Sequence, residues 1–142
     1  MMLRTVLVIL VFSMVASAQT GTKQLTDERG NCRASVPADA TVFAPWMAQG
    51  PNKSYSVMLE TENDTVAVLK DSDLKTYHYS RALENTANRQ IVEKEPGTVS
   101  AGYRAFHVYV PVKGGRCHAG ISFKTSVPEE KMKSIATSVK AK

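Results

Sequence analysis

The ten residues from Tyr103 to Val112 alternate so regularly that they restrict the chain to a fold built on an antiparallel sheet. Arg104, Phe106, Val108, Val110 and Val112 fall on one face, and Tyr103, Ala105, His107, Tyr109 and Pro111 on the other, which is the period-2 signature of a strand. Lys113-Gly114-Gly115-Arg116 follows. Its glycines suit a tight reversal, so residues 117–124 are expected to return antiparallel beside the first strand. The Phe106, Val108, Val110 and Val112 face is expected to be core.

Weaker signals of the same kind occupy the rest of the chain. Cys32, Ala34 and Val36 alternate until Pro37, and Tyr55, Val57 and Leu59 oppose Ser54, Ser56 and Met58. The intervening stretch is turn-rich, with Trp46 expected as a lid on the core. Asn63-Asp64 reads as a turn into a third strand at residues 65–69. Asp71 or Ser72 can cap a helix in which Leu74, Tyr77 or His78, Ala82 and Leu83 recur at helical spacing until near Asn88. Residues 91–95 form a short strand closed by Pro96-Gly97. Ser126-Val127-Pro128-Glu129 predicts a capping box, and Met132, Ile135, Ala136 and Val139 give the helix after it one apolar stripe. The predicted order is β-β-β-α-β-β-β-α, an α+β architecture in which an antiparallel sheet is covered by two helices.

The N-terminus carries a different signal. Arg4 precedes a mostly apolar run ending at Val15, and Ala16-Ser17-Ala18 offers small residues to a signal peptidase. Residues 1–18 are therefore expected to be a cleaved signal peptide, residues 19–29 a polar lead-in, and residues 30–142 a single domain. The apolar run is shorter than the roughly 20 residues of a membrane-crossing helix, so no membrane insertion is expected after cleavage. Localisation is expected to be periplasmic or extracellular, where the only two cysteines, Cys32 and Cys117, form one disulfide. Without Arg4, 17 Lys and Arg face 13 Asp and Glu. This modest excess is scattered, which argues against a nucleic-acid partner; a monomer is expected.

No enzyme motif with its own chemistry is present: no Gly-x-Ser-x-Gly, no His-Glu-x-x-His, no phosphate-cradling glycine loop. No catalytic, cofactor-binding or metal residue is assigned, and no cofactor is expected. His107 and His118 lie on partnered strands and can meet across the sheet; with a carboxylate they would make a general-base or metal site. Tyr103, His107 and Tyr109 share a strand face that either lines a shallow ligand surface or packs beneath a helix. Asn52-Lys53-Ser54 and Asn63-Asp64-Thr65 match the glycosylation acceptor pattern, which marks these loops as exposed.

Ala34-Ser35-Val36-Pro37, Gly102 ahead of the long strand and Val127-Pro128-Glu129 opening the last helix resemble the Mog1/PsbP-like group of α/β sandwich domains, over most of residues 30–140. That resemblance implies a non-enzymatic domain whose relatives are binding or assembly modules, many of them exported bacterial proteins; it brings no catalytic set, and Asp39-Ala40 stands where an Asp-Trp is often found. Val99-Ser100-Ala101-Gly102-Tyr103 is also similar to the inhibitory loop of cystatins, and Pro45-Trp46 to their Pro-Trp loop, although Thr98 replaces the usual Gln and the Pro-Trp precedes the helix. The expected function is an exported soluble binding or assembly module without catalytic activity. The alternatives are a cystatin-like protease inhibitor or a small hydrolase using His107 or His118.

Overall fold

A computed structural model describes residues 21–142; the signal-peptide reading of residues 1–18 lies outside them. The long strand and its partner are present as expected, β8 (Tyr103–Val112) and β9 (Gly115–Lys124), paired from Tyr103↔Lys124 to Val112↔Gly115. Gly114 supplies the positive φ, 79°, that the reversal requires. These two strands form the centre of a seven-stranded antiparallel sheet. On one side of them lie β5 (Tyr55–Glu62), β4 (Met47–Gln49) and β3 (Thr41–Ala44); on the other lie β7 (Gln90–Lys94) and β6 (Tyr79–Asn85).

A second layer covers one face of this sheet. It consists of β1 (Thr22–Thr26), β2 (Cys32–Pro37) and β10 (Lys140–Ala141), joined in a small sheet, and of α2 (Glu129–Ser138), which packs on β2, β8 and β9. Between the layers lie Leu25, Ala34 and Val36, the strand residues Tyr55, Val57, Leu59, Phe106, Val108, Ile121 and Phe123, and the helix residues Met132, Ile135 and Ala136, all buried. Phe106 and Phe123 meet edge to face at 5.0 Å between ring centres. Cys32 and Cys117 are disulfide-bonded across the layers, 5.9 Å apart at Cα, as the cysteine count implied. An intramolecular disulfide fits an oxidising, extracytoplasmic setting.

Architecture is thus α+β, but its order departs from the expected one. Five strands precede the first helix and four follow it, with a short tenth strand after the second. Residues 65–69 pair with no strand. They form part of a strap, residues 63–70, whose Leu69 backbone is held at both N–H and C=O by the Asn85 side chain. The first helix, α1, covers only Asp71–Thr76 and buries no residue; His78 at φ 58° ends that turn. The predicted second half of this helix is β6, and its pairing with β7 shifts register twice, between Tyr79 and Arg81 and between Ala82 and Glu84. Each shift adds a residue to the strand. Two of them three residues apart break the period of two and make the apolar positions look helical.

The capping box at Ser126 does not form. Pro128 occupies the N-cap position with no side-chain bond, because the Glu129 carboxylate is drawn instead to Arg81 and Arg104. The α2 stripe is buried as expected. Helices do not cover the sheet as a pair, since α1 lies outside the core and the small sheet takes the place assigned to it. Within the polar lead-in, residues 22–26 are β1, paired with β2. Both acceptor-pattern asparagines, Asn52 and Asn63, are exposed. Among the described residues no helix is long and apolar enough to cross a membrane.

Candidate functional site

Strand alternation that buries Val57, Leu59, Ala119, Ile121, Phe106 and Val108 turns Met58, Glu60, His118, Gly120 and His107 to the opposite face of the large sheet. This face is one-sided, as antiparallel sheets allow. At its β7 end it is covered by the strap: Gln90 Nε2 donates to the Ala67 carbonyl, and Val92 and Tyr109 are buried. Its β5–β9 end is open. Register places Gly120 directly between Met58 and His107, and a Cβ added to Gly120 would meet nothing within 4 Å. The missing side chain leaves the floor of a hollow of about 520 Å³.

Met58, 51% exposed, forms one wall of that hollow, and His107 and His118 form the other. Glu60, Trp46 and Arg29 also line it. Trp46 packs against the core as well, so the lid expected from sequence also borders the open face. Asp27 anchors the turn that carries Arg29. Its carboxylate accepts from the backbone N–H groups of Arg29, Asn31 and Cys32 and from the Thr61 hydroxyl. Burial alone would raise the Asp27 carboxyl, but these bonds outweigh it and hold the group below its ordinary value.

The two histidines meet as their strands predicted. His107 Nδ1 lies 2.7 Å from His118 Nε2, with the rings stacked at 5.0 Å. On its other side, His118 Nδ1 lies 2.9 Å from Glu60 Oε1 and 2.8 Å from Glu62 Oε1. Burial, helped by His118 and Lys94, pushes the His107 imidazole down to about 4, so this ring is neutral at ordinary pH. Burial would also raise the Glu62 carboxyl, but Arg116 Nε at 2.7 Å, with His118 beside it, holds it below the usual range. Arg116 in turn stacks on Tyr109, its guanidinium carbon 4.1 Å from the ring centre.

Of Tyr103, His107 and Tyr109, the last two are neighbours, their rings stacked at 6.4 Å, and Tyr109 also stacks on His118 at 4.8 Å. Tyr109 is buried under the strap rather than beneath a helix, its hydroxyl 3.4 Å from that of Tyr79, in a second hollow of about 300 Å³. Tyr103 lies four residues along the strand from the hollow floor, at the level of Lys124. Only His107 of the three reaches the larger hollow. The cystatin-like segments also separate. Trp46 lies beside Leu59, to which its carbonyl is bonded, while the carbonyl of Gly102 is bonded to Thr125. Along the strands these points are about 20 Å apart at roughly 3.3 Å per residue.

Sequence reading missed Met58, Glu60, Glu62, Gly120 and Arg29. One signal was available: a glycine in the middle of an otherwise alternating run from Cys117 to Phe123 marks a place where something approaches the backbone closely. Fold and site together define a two-layer α+β protein with one open sheet face. Compared with known protein families and with curated proteins, the chain matches none.

Proposed function

We propose that the protein is an exported, non-catalytic binding module that holds a small molecule, with an apolar body and a hydrogen-bonding end, over Gly120. The hollow itself carries this reading. At about 520 Å³ it falls within the roughly 300–1,000 Å³ of small-molecule sites, it combines Trp46 and Met58 with polar groups, and its floor is a glycine that the chain's own packing does not need. The two histidine rings bond to each other and to carboxylates rather than to a hydroxyl or thiol. Among the described residues neither ring is bonded to a hydroxyl or thiol, so the pair does not form a dyad with a side-chain nucleophile. The Mog1/PsbP-like resemblance belongs to the same proposal, as does cleavage between Ala18 and Gln19 with release into the periplasm or medium.

Trp46 is the sole tryptophan, so its fluorescence reports on the hollow. A library of aromatic amines and acids titrated into the mature protein is expected to give saturable Trp46 responses that vanish in Gly120→Leu. Equal responses in both proteins would remove the site. Intact mass before and after reduction tests export: a chain beginning at Gln19 that gains two hydrogens supports it, and a full-length chain with two free thiols overturns it.

A further inference from the structure

Glu60, Glu62 and His118 converge on one point of the open face. Glu60 stands directly opposite His118 in the β5–β9 pair, and Glu62 is the next residue of β5 on that face. Their donor atoms lie within 4.8 Å of one another, and the closest approaches to His118 Nδ1 are the 2.8 and 2.9 Å already given. Nitrogen and oxygen ligands held about 2.0–2.2 Å from a divalent ion are separated by about 3.0–3.4 Å. The two contacts to His118 are a few tenths of an ångström short of that spacing and the two carboxylates lie within 4.8 Å of each other, so a small shift of Glu60, whose side chain is 62% exposed, brings the trio to the size of a coordination face.

The surroundings are those of a ligand set. His118 is steadied from behind by His107 at its Nε2, and the second oxygen of Glu62 accepts from Arg116; metal-binding imidazoles and carboxylates depend on outer partners of this kind. Gly120, two residues from His118 on the same face, leaves the approach unobstructed.

We propose that Glu60, Glu62 and His118 form a three-ligand site for a borderline divalent cation of the zinc class, opening onto the hollow. One imidazole nitrogen with two carboxylates suits such an ion better than a soft monovalent one, which takes thioether or thiolate, or calcium, which takes oxygen alone. The ion takes the Nδ1 lone pair of neutral His118 in the tautomer whose one ring proton is on Nε2. His118 Nε2–H then donates to the lone pair of His107 Nδ1. Coordination positions left by three protein ligands face the hollow, so the site adds a charged anchor for the small molecule; in this respect the inference rests on the open face being the binding surface.

Calorimetric titration of the untagged mature protein with Zn²⁺ is expected to show one equivalent bound. Affinity should fall about tenfold or more in Glu60→Gln and in His118→Gln and stay unchanged in His78→Gln, which alters an exposed histidine beside Glu95. Glu60 is at the surface, so its variant tests the site even if the His118 variant does not fold. No uptake at about 100 µM Zn²⁺, or uptake that both site variants retain, overturns the proposal. The Trp46 assay separates the two readings: zinc uptake without any fragment response keeps the metal site and removes the small-molecule function, and fragment binding without zinc uptake does the reverse.

Discussion

Gly120 is the residue whose identity the fold explains least and the site explains best. Its φ is not among the positive ones, and a β-carbon there meets open space. A β-branched residue should therefore strengthen the strand, by up to about 1 kcal/mol. Gly120→Val is expected to raise the urea midpoint or leave it unchanged while abolishing the Trp46 response to fragments. A variant that unfolds more easily would show that the glycine serves the fold. Asp27 is the opposite case, a buried carboxylate with four donors. Removing it leaves three backbone N–H groups without their acceptor, so Asp27→Ala should cost about 2–3 kcal/mol in a denaturant melt. A loss below roughly 0.5 kcal/mol would mean that water replaces it. Its folded value lies below the ordinary 3.8. The stabilisation it gives is thus complete above that pH and is lost as pH falls through the folded value.

Among the elements, α2 is held by its buried stripe and, at its first turn, by one charged cluster. Glu93 of β7 accepts from Arg104 at 2.8 Å and from Arg81 at 2.9 Å, and both arginines also reach Glu129 in the first turn of α2. The Arg104 guanidinium lies over the Phe106 and Phe123 rings, 5.7 and 5.2 Å from their centres, so the cluster joins sheet, core edge and helix. Arg104, against the opposing effect of burial and with help from Arg81, holds the Glu93 carboxyl below its ordinary 4.5. Its contribution is full above that pH and disappears as pH falls through the lowered value. Stability of the wild type should decline between pH 5 and pH 3, and Glu93→Gln should be less stable at pH 7 by about 2 kcal/mol with a shallower acid decline. Parallel pH profiles for the two proteins would refute the linkage. The same cluster shows why the capping box misled. Ser126 and Glu129 carried the right local spacing, but two arginines distant in sequence compete for the glutamate, and no window around residue 126 contains them. Local pattern was enough for β5, β8, β9 and the α2 stripe, where alternation or helical period is unbroken. It failed at β6, whose bulges disguise the period, at β1, where only Leu25 is fully buried, and at β3 and β4, which are too short for a pattern. Of the site, the meeting of His107 and His118 was legible because a hairpin fixes register. Glu60 and Glu62 arrive from β5, and nothing local tells which strand lies beside β9.

For the molecule as a whole, the decisive bond joins the two layers. Cys32 sits in the small sheet and Cys117 in the large one, 85 residues apart in sequence, and both are fully buried. Closing a loop of that length restricts the unfolded chain by about 4–5 kcal/mol in the chain-entropy account. Domains of this size are stable by only about 5–15 kcal/mol in total. The small sheet depends on the bond more than the large one does. It has only three strands, one of two residues, and besides the bond it is held on the large sheet by the packing of Leu25, Ala34 and Val36 in the shared core. Urea melts with and without reductant should therefore differ by about 4 kcal/mol, and the Cys32→Ser/Cys117→Ser double variant should melt where the reduced wild type does. Hydrogen exchange on the reduced protein should open β1, β2 and β10 before β8 and β9, because the seven-stranded sheet keeps its own backbone bonds when the layers part. A disulfide of this weight suits an oxidising, extracytoplasmic setting and ties the stability of the paired layers to the redox state of the two thiols. Coincident oxidised and reduced melts would break that tie, since packing alone would then hold the layers and the fold would be indifferent to where the chain resides.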